Sequence, residues 1–513
     1  MKHNTTILNA VNTLVDTVKV TLGAKGRTVL YNTDENKPHI TKDGVSVARH
    51  IASSDDYENM LITVMREASV KTMRNSGDGT TTTLVLTQYL ISEGLKLLSE
   101  GISYYELSKA LDKAKKQVLD YITAESINVE SNPEVLKHVA SIAANDESVG
   151  EFIYSIIQDI GLYGDIQVKT SSYSETRIDK SKGMKLHKGW FEGFMVNNTR
   201  DMTFEATDCF VLLINETIRS MNDIVIYVDY SIRSGKALVV FCDDVSDITL
   251  KQLKNFMESN PVPLCFVEND GFRDNKEILL NDLAAITGGY VITTDNEFDP
   301  SNLGIANEIK VEELYTTVLG GNTDTELVND IIEDIKARLE VDDNEDEMYL
   351  SGRERKWYKK RLANLTGGVA VIHAGGDTEM EMKELKDRLD DAVLAVYSAI
   401  QEGVCIGGGY TFVRGSNKLK GSSKGEQLVY DSLLVPFKQL LINADLYKDF
   451  DLIRKGLIKG KGFDLRTESL TKLDSYNVYD SAGVLKDCVR NSIAVSKSIL
   501  SVKKLIYDGV VQG

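Results

Sequence analysis

The sequence predicts a multidomain fold of α and α/β parts, in which helical segments at both ends of the chain enclose an α/β region. The length and two periodic patterns favour this architecture. The chain has 513 residues, which leaves room for about three domains of ~150 residues each. Apolar residues recur at helical spacing near both ends, whereas strand-like apolar runs alternate with helical patterns in the middle.

The N-terminal part is predicted to be mostly helical. Apolar residues recur every three or four positions from Ile7 to Val18, and Gly23 follows as a natural helix stop. A buried helix therefore begins the chain. The later elements are predicted in this order: strands at 28–31 and 39–41, then helices over 57–74 and 84–118.

The middle of the chain predicts a compact α/β domain, because strand-like and helical segments alternate there in the rhythm of βαβ units. The predicted strands lie at 210–214, 237–242 and 264–267. The predicted helices lie at 219–233, 247–258 and 274–286.

The last part of the chain returns to helical patterns. A highly charged segment over 324–365 carries one apolar stripe and is predicted to form two antiparallel helices. A long helix over 378–402 follows and ends at Gly403. The clearest later helical patterns run over 433–442 and 493–506.

Charge and composition exclude several classes of protein. The chain carries 59 basic and 77 acidic residues, a net charge of −18, so its field repels nucleic acids and anionic membrane surfaces. The cysteines and histidines are dispersed without CxxC or helical metal-ligand spacing, which favours reduced thiols and no structural zinc. No apolar run is long enough to span a membrane. We expect a cytoplasmic protein, located in the host cytoplasm if a virus encodes it.

The stretch from Gly77 to Thr83 is the most informative motif. It consists of Gly-Asp-Gly followed by four threonines, and it opens a helical pattern. The two glycines allow backbone N–H groups to approach a ligand, and the carboxylate of Asp78 suits Mg²⁺. Hydroxyls at a helix N-terminus face the positive end of the helix dipole. The motif therefore favours a site for nucleotide phosphates.

An alternative leaves the motif without a ligand. Four consecutive β-branched threonines after a Gly-Asp-Gly turn also suit the edge of a strand, and the motif alone does not decide between the two. The chain has no GxxxxGK[ST] segment, so an ordinary P-loop ATPase is disfavoured.

Six segments form an ordered set of motifs: VKVTLGAKGR at 18–27, ITKDGVSVAR at 40–49, GDGTTTTLVL at 77–86, LTGGVAVI at 365–372, TEMEMKELKDRLDDA at 378–392 and EGVCIGGG at 402–409. Taken together and in this order, they resemble the GroEL-type, or group I, chaperonins of the 60 kDa chaperonin family. The resemblance extends over essentially the whole chain, and the middle and the C-terminal part differ most. It implies a divergent member of that family.

The resemblance implies the chaperonin fold, with three domains that are partly discontinuous in sequence. They are a mostly helical equatorial ATPase domain at 1–125 and 402–513, a small intermediate hinge domain at 126–181 and 370–401, and an α/β apical client-binding domain at 182–369. The family's hinge glycines match Gly183, Gly368 and Gly403. On the alternative interpretation these three are ordinary turn glycines.

The resemblance also implies an ATP site with Mg²⁺, and with K⁺ as a further candidate cation. Asp78 matches the family's Mg²⁺ ligand, and Asp391 and Asp43 match the carboxylates that activate and order the attacking water. The other matched positions contact the nucleotide: Thr21, Leu22, Gly23, Lys42, Gly79, Thr80, Thr81, Thr82, Gly407, Gly408 and Asp487. Without the family, Asp43 suits a plain turn and Asp391 a charged helix face.

The adenine side of this site departs from the family pattern. Asp464, Leu465 and Arg466 stand where the family has Asn-Ala-Ala. An ungapped match of the family's Leu-Asp-Pro segment places Lys486 at the aspartate that contacts the ribose, and Asp487 takes that position only after a one-residue shift. The phosphate side is therefore the better defined half of the pocket.

The resemblance further implies an apolar surface that binds unfolded polypeptide clients. The matched positions are Trp190, Phe194, Met195, Val225, Val228, Ile232, Leu250 and Leu253. The spacing of Val225, Val228 and Ile232 also suits a helix stripe that faces a core. Ser231 and Lys254 stand where apolar residues are usual, so a co-chaperonin is a candidate partner whose requirement is in doubt.

The sequence thus predicts the ATPase subunit of a homo-oligomeric ring that assists the folding of non-native polypeptides through ATP-driven domain movements. No nucleic acid or membrane partner is expected. Two alternatives remain open. A ring-forming holdase would bind clients without a productive cycle, although the combination of Asp43, Asp78 and Asp391 disfavours it. A small-molecule phosphotransferase would use the same Gly-Asp-Gly turn and would respond to a metabolite rather than to denatured protein.

Overall fold

A computed structural model describes residues 2–32, 38–171, 173–181, 183–260, 263–271, 274–293, 299–340, 352–366, 368–507 and 510–512. The chain forms two compact units, one of Met1–Ser155 with Lys383–Gly513 and the other of Ile156–Met382. The first unit is therefore discontinuous in sequence, because the chain leaves it, builds the second unit and returns.

The N-terminal segment is mostly helical, as the sequence predicts. Its elements are α1 Lys2–Val18, β1 Val29–Asn32, β2 Pro38–Thr41, α2 Gly44–His50, α3 Asp56–Ser76, α4 Thr80–Ser99, α5 Tyr104–Glu125, α6 Val135–Ala143 and α7 Glu147–Ile160. The single helical pattern predicted over 84–118 is divided between α4 and α5. Ser103 caps α5 and exchanges hydrogen bonds with Glu106, and such a capping box starts a new helix.

The middle segment alternates strands with helices. Its first elements are β3 Asp165–Thr170, β4 Arg177–Ser181, β5 Gly183–Leu186, β6 Phe204–Ile214, β7 Thr217–Ile218, α8 Val225–Ser234, β8 Leu238–Cys242, β9 Asp244–Val245 and α9 Asp247–Ser259. They continue with β10 Leu264–Glu268, α10 Asp274–Thr287, β11 Val291–Ile292, β12 Gly304–Val311, β13 Thr316–Gly320, α11 Thr325–Glu340, α12 Gly352–Thr366 and β14 Val369–Ala374. The two helices predicted in the charged segment over 324–365 correspond to α11 and α12.

The C-terminal segment returns to helices with short strands. Its elements are α13 Glu379–Glu402, β15 Val404–Ile406, α14 Tyr410–Lys418, α15 Lys424–Ser432, α16 Val435–Asn443, α17 Phe450–Ile458, β16 Lys461–Asp464, β17 Ser469–Lys472, β18 Tyr479–Ser481, α18 Ala482–Ser501, β19 Leu505–Tyr507 and β20 Val510–Gln512. The helix predicted over 493–506 begins earlier and ends earlier than expected, because α18 starts at Ala482. α18 ends at Ser501, and β19 follows it.

The second unit is built around a seven-stranded sheet. Its strand order is β10-β8-β6-β12-β13-β5, and β11 pairs with β6. β6, β8 and β10 are parallel neighbours, and α8 and α9 connect them, which confirms the predicted βαβ rhythm. Every residue of β8 is buried, as expected for a parallel strand that is covered on both faces.

The hydrophobic core of the first unit joins the two ends of the chain. α18 packs against α3, α4 and α5, and α1 packs against α3 and α4. Buried side chains from both ends, among them Leu14, Leu84, Leu111 and Cys488, belong to one cluster. Because close-packed interiors resist displacement, this shared core holds the start of α4 in a defined place.

The composition predicts reduced cysteines and no membrane-spanning segment. All five cysteines are buried and free, and burial raises the pKa of thiols such as Cys209 and Cys405 to about 12. They therefore pack as small apolar groups. Within the ranges that the structure describes, no helix is long and apolar enough to cross a membrane.

Candidate functional site

The Gly-Asp-Gly motif forms a tight loop that leads into α4, not a strand edge. Gly77 and Gly79 have backbone φ angles of +73° and +89°, which residues with a side chain seldom adopt. A Cβ atom on Gly79 would lie 2.5 Å from the sulfur of Cys488, and one on Gly77 would lie 2.4 Å from Cβ of Leu394. Both positions therefore require glycine, and α4 begins at Thr80.

The first turn of α4 presents polar groups for which the described residues supply no hydrogen-bond partner. No hydrogen bond from a side chain caps this helix in the described part of the chain, so its first backbone N–H groups are left for another acceptor. The hydroxyl of Thr80 is buried and has no hydrogen-bond partner among the described residues. Thr81 and Thr82 are partly exposed beside it. An anion at this helix end would satisfy these donors and meet the positive end of the helix dipole.

Asp43 lies beside this loop and is fixed by the helix that it caps. Its carboxylate accepts hydrogen bonds from the backbone N–H groups of Val45 at 3.0 Å and Ser46 at 2.7 Å. The start of α2 packs against α4, because a Cβ atom on Gly44 would lie 2.2 Å from Oγ1 of Thr81. The Lys-Asp-Gly turn is therefore one wall of the space in front of α4.

The Thr21-Leu22-Gly23 segment leaves α1 next to the same wall. The hydroxyl of Thr21 donates to the carbonyl oxygen of Val18 at 2.9 Å. The side-chain amide of Asn443 donates to the carbonyl oxygen of Leu22 at 2.9 Å. Oγ1 of Thr21 also lies 3.5 Å from the Cβ position of Gly44. The structure therefore brings Thr21 to the start of α2.

Three carboxylates that lie far apart in the sequence meet at this loop. Burial, followed by the charges of Asp43 and Asp78, raises the pKa of Asp391 to about 9. Burial also raises the pKa of Asp78 to about 6, although the backbone N–H of Gly79 donates to this carboxylate and opposes the shift. Because like charges in a partly buried site disfavour ionisation, the three acids form one electrostatic cluster.

Lys42, next to Asp43 in the chain, is held by neutral oxygens. Its Nζ donates to the carbonyl oxygen of Ala24 and to Oδ1 of Asn145, each at 3.3 Å. Partial burial lowers the pKa of Lys42. Lys42 therefore carries a positive charge next to Asp43 in the chain and has no carboxylate partner in the described ranges.

Gly407 and Gly408 follow β15 and meet a carboxylate that the sequence analysis does not name. β15 pairs with β18, and the register aligns Cys405 with Asp480. A Cβ atom on Gly407 would lie 2.8 Å from Oδ1 of Asp480. Burial and the charge of Asp78 raise the pKa of Asp480 to about 7. Asp480 therefore lies against the turn at Gly407 and Gly408, here called the glycine turn, and it interacts electrostatically with Asp78 of the acid cluster.

Asp487, which the resemblance places at the ribose only after a one-residue shift, is bound by other side chains in this structure. Asp487 lies within α18, where it accepts a hydrogen bond from Ser76 Oγ at 2.7 Å and pairs with Arg490 at 2.9 Å. The acid beside the glycine turn is Asp480 instead. The signal for it is an acid in a short strand, directly before Ser481, which ends the strand and caps α18.

The residues that depart from the family on the adenine side lie at the end of β16 and the turn after it. The carboxylate of Asp464 accepts a hydrogen bond from the backbone N–H of Arg466 at 2.8 Å, and the guanidinium of Arg466 pairs with Glu147. The hydroxyl of Tyr476 donates to the carbonyl oxygens of Phe463 at 3.2 Å and Gly407 at 3.4 Å. This hydroxyl therefore ties β16 to the glycine turn.

The donor set fits Mg²⁺ that is held jointly with phosphate oxygens. Across the described ranges, no group of three His, Cys, Asp or Glu side chains is arranged to hold a metal ion. Mg²⁺ is typically bound by one or two carboxylates together with substrate phosphates. Asp78 supplies such a carboxylate, and the unpartnered hydroxyl of Thr80 lies in the turn after it.

A comparison with known protein families decides which class of protein carries this site. The sequence model of the TCP-1/cpn60 chaperonin family matches residues 14–274 and 227–509, which together include most of the chain. The chain belongs to the TCP-1/cpn60 chaperonin family. Membership confirms the resemblance drawn from the six motifs, and it makes the protein an ATP-dependent chaperone. The family is one of ring-forming proteins that bind unfolded polypeptides.

Solved chaperonin structures show the same multidomain fold. The chain is similar to the chaperonin gp146 from the bacteriophage EL 2 (Pseudomonas aeruginosa), which was crystallised in the presence of ATP-BeFx in two forms. Crystal form I matches with a TM-score of 0.67 at 20% identity over 98% of this chain and 98% of that chain. Crystal form II matches with a TM-score of 0.71 at 19% identity over 98% and 97%. The predicted chaperonin fold is thereby confirmed.

The expected client surface of this chaperonin is exposed on α8 and at the start of α9. Val225 and Ile232 of α8 expose 42% and 41% of their surface. Ile226 and Ile248 are exposed more strongly, at 52% and 69%, although the sequence analysis does not name them. Leu250 is partly buried against the core. Contiguous exposed apolar patches are typical of surfaces that contact other polypeptides, and these exposed residues are the candidates for such a patch here.

Three residues expected on that surface belong to the core instead. Met195, Val228 and Leu253 are almost fully buried, because their side chains pack in the hydrophobic cluster that surrounds the seven-stranded sheet. This corrects their expected exposure. Trp190 and Phe194 are partly buried against the same cluster, so they line the surface rather than project from it.

The polar substitutions in this region differ in their effect. Ser231 is buried, and its hydroxyl donates to the carbonyl oxygen of Lys236 at 2.5 Å, so it does not make the surface polar. Lys254 lines a cavity of about 340 Å³ between α9 and residues 194–197. Glu258, one helical turn further along α9, lines the same cavity. Charged side chains of α9, Lys254 and Glu258, are therefore part of the surface next to this cavity.

The three glycines expected at hinges lie at the ends of regular elements. Gly183 begins β5. Gly368 precedes β14, and Gly403 follows α13, with φ angles of +69° and +84°. Their role as hinges stays a prediction.

Replacement of Asp391 by Asn is expected to stabilise the nucleotide-free protein, and more so at higher pH. The pKa of Asp391 is raised from its ordinary value near 3.9 to about 9. The folded state therefore binds more protons than the unfolded state between these values, and stability falls as the pH rises through this window. The variant removes this cost. Its melting temperature at pH 8 should exceed that of the wild type by about 3–6 °C.

Scanning calorimetry at several values between pH 5 and pH 9 checks this prediction. The gain should shrink towards pH 5, because the unfolded carboxyl is then closer to its own pKa. Asp120→Asn on the exposed face of α5 is the matched control and should change the melting temperature by less than about 1 °C. A gain for Asp391→Asn that does not vary with pH would contradict the assigned shift.

Proposed function

We propose that this chaperonin hydrolyses ATP in the space bounded by the start of α4, Asp43 and Asp391. Hydrolysis would drive the binding and release of unfolded polypeptides within a homo-oligomeric ring. One observation carries the proposal: Asp43, Asp78 and Asp391 converge on a helix N-terminus whose buried Thr80 hydroxyl lacks a partner in the described ranges. An anion-binding helix end and raised pKa values at one place are typical of a catalytic site.

In this proposal the first turn of α4 binds phosphate oxygens. The backbone of Gly79 and the hydroxyls of Thr80, Thr81 and Thr82 supply the donors. Lys42 adds positive charge from the opposite wall. The packing of α2 against Thr81 keeps both walls at a fixed separation.

The nucleoside part of ATP would lie towards the glycine turn. Thr21, Leu22 and Gly23 would pass the ribose side of the phosphates, and Gly407 and Gly408 would contact the ribose and base. Asp480 takes the ribose role that the sequence analysis gave to Asp487, because its carboxylate lies against Gly407. A carboxylate is a suitable acceptor for ribose hydroxyls.

The chemical step would be the attack of water on the terminal phosphorus of ATP, which breaks the bond from that phosphorus to the bridging oxygen and releases ADP and inorganic phosphate. Asp391 would accept the proton of this water, and Asp43 would help to orient it. With a pKa of about 9, Asp391 is protonated in the empty site and becomes a base only when positive charge enters the cluster. Mg²⁺ held by Asp78 would supply such charge and neutralise the phosphates. K⁺ stays a prediction without an assigned residue.

The remaining parts of the proposal concern clients and movement. The exposed residues Val225 and Ile232, with Trp190, Phe194 and Leu250 beside them, would contact unfolded polypeptides. The predicted equatorial, intermediate and apical boundaries are retained, with the glycines described above as hinges between them. Because Lys254 adds charge to α9, the requirement for a co-chaperonin stays open. A cytoplasmic location is likewise proposed.

Asp391→Ala should lower ATP turnover by about 10²-fold or more while leaving nucleotide affinity within about threefold of the wild type. Loss of a general base typically costs this much, and the side chain acts on water rather than on the nucleotide. Phosphate release and equilibrium binding of ATP measure the two quantities.

Asp390→Ala is the matched control, since this neighbouring acid pairs with Lys386 on the same helix and should keep turnover close to that of the wild type. Unchanged hydrolysis in Asp391→Ala would overturn the assignment. Wild-type turnover that responds to a metabolite but not to denatured protein would favour a phosphotransferase, and no turnover at all would favour a holdase.

Asp480→Asn should weaken ATP binding by about three- to tenfold, whereas Asp487→Asn should leave it unchanged. The first variant replaces a charged acceptor beside the glycine turn, and charged acceptors form the stronger hydrogen bonds. The second alters a residue that already pairs with Ser76 and Arg490. Titration of both variants with ATP and with ATP lacking the ribose 2′-hydroxyl provides the measurement. The reverse order of effects would restore Asp487 to the ribose.

A further inference from the structure

We infer that Asn145 is a positioning residue for Lys42. Its side-chain amide oxygen accepts a hydrogen bond from the Lys42 ammonium, and the phosphates of ATP compete with Asn145 for that ammonium. This inference rests on the proposed function, because it assumes that phosphates bind in front of α4. The contact that carries it joins Nζ of Lys42 to Oδ1 of Asn145 at 3.3 Å. The two residues belong to the same compact unit.

The ammonium of Lys42 is only weakly held where it lies. Both of its described partners are neutral oxygens at 3.3 Å, which is longer than the usual N–H···O distance. A phosphate oxygen carries negative charge, so it attracts an ammonium more strongly than a neutral carbonyl or amide oxygen does. Partial burial, which lowers the pKa of Lys42, also favours exchange of the present contacts for a charged acceptor.

The amide of Asn145 is presented by a rigid helix end. Asn145 follows α6 in the left-handed conformation with φ of +51°. Its N–H bonds to the carbonyl oxygen of Ile142 at 3.1 Å, and the N–H of Asp146 bonds to that of Ser141 at 3.0 Å. These bonds form the Schellman pattern that ends many helices. Only the side chain of Asn145, not its backbone, is therefore free to respond to Lys42.

The other side of the same turn contacts the helix that carries Asp391. The carboxylate of Asp146 lies 3.6 Å from the guanidinium of Arg388 on α13, three positions before Asp391 in the sequence. The turn at 145–146 thus touches the phosphate-side lysine through one residue and α13 through the next. When ATP binds, Lys42 would exchange Asn145 for a phosphate. The contact of the turn with Lys42 would then be lost, while the contact between Asp146 and Arg388 would remain.

Two substitutions at position 145 should shift ATP affinity in opposite directions. Asn145→Gly removes the amide, frees Lys42 and should tighten ATP binding by about two- to fivefold. Asn145→Asp offers Lys42 a carboxylate and should weaken ATP binding by about two- to fivefold or more. Glycine and aspartate both accept the left-handed conformation, so neither variant should disturb the end of α6. Melting temperatures verify this.

The measurement is equilibrium binding of ATP with Mg²⁺ to full-length protein that carries Asp391→Ala, so that hydrolysis does not interfere. Each variant at position 145 is also combined with Lys42→Ala, and both effects should then fall to less than about half of their size. This comparison separates a contact with Lys42 from direct repulsion between the new aspartate and ATP.

The outcomes distinguish the inference from the proposed function on which it rests. If Lys42→Ala alone leaves ATP affinity unchanged, the proposed phosphate site is wrong at this residue. If Lys42→Ala weakens binding but the two variants at position 145 shift affinity in the same direction, the role of Asn145 is wrong. Effects that persist at full size in the Lys42→Ala background would also overturn it.

Discussion

The burial of several carboxylates at one place, reinforced by repulsion between them, is the constraint on which the candidate site depends. Burial and the charges of Asp43 and Asp78 act together to raise the pKa of Asp391 to about 9, and a weaker combination raises that of Asp480 to about 7. Such a cluster lowers the free energy of unfolding of the empty protein. Binding of cations together with a polyanion offsets this destabilisation. In the proposed function, the negative charge of this cluster is balanced only when nucleotide and cations are bound, so the site would respond to nucleotide.

Packing between distant parts of the chain stabilises the unit that contains these clustered carboxylates. Residues from both ends pack in one hydrophobic core, in which α18 lies against α3, α4 and α5. The loop at Gly77 and Gly79 is closed in by Leu394 of α13 and Cys488 of α18, so the helix that carries Asp391 lies directly beside this loop. Because the first unit contains both ends of the sequence, residues from both ends lie together at the candidate site.

The sequence predicted the parts of this arrangement that depend on local pattern. The βαβ rhythm around β6, β8 and β10 followed from alternating apolar runs, whereas the break between α4 and α5 was missed because it depends on the capping box at Ser103. The role proposed for Asp391 came from family resemblance, since a charged helix face gives no sign of its partners. Asp480 was missed because its position depends on the pairing of β15 with β18, which links distant segments. Val228 and Leu253 were misplaced because one helical stripe suits either a core or an exposed surface.

The number of protons released when ATP binds with Mg²⁺ tests the central claim most directly. Titration calorimetry at pH 7.5, in buffers that differ in ionisation enthalpy, gives this number. If Asp391 is protonated in the empty site and loses its proton when positive charge enters the cluster, about one proton per subunit should be released, and Asp391→Asn should abolish most of that release. Binding of ATP with Mg²⁺ without proton release, or with the same release in Asp391→Asn, would contradict the account.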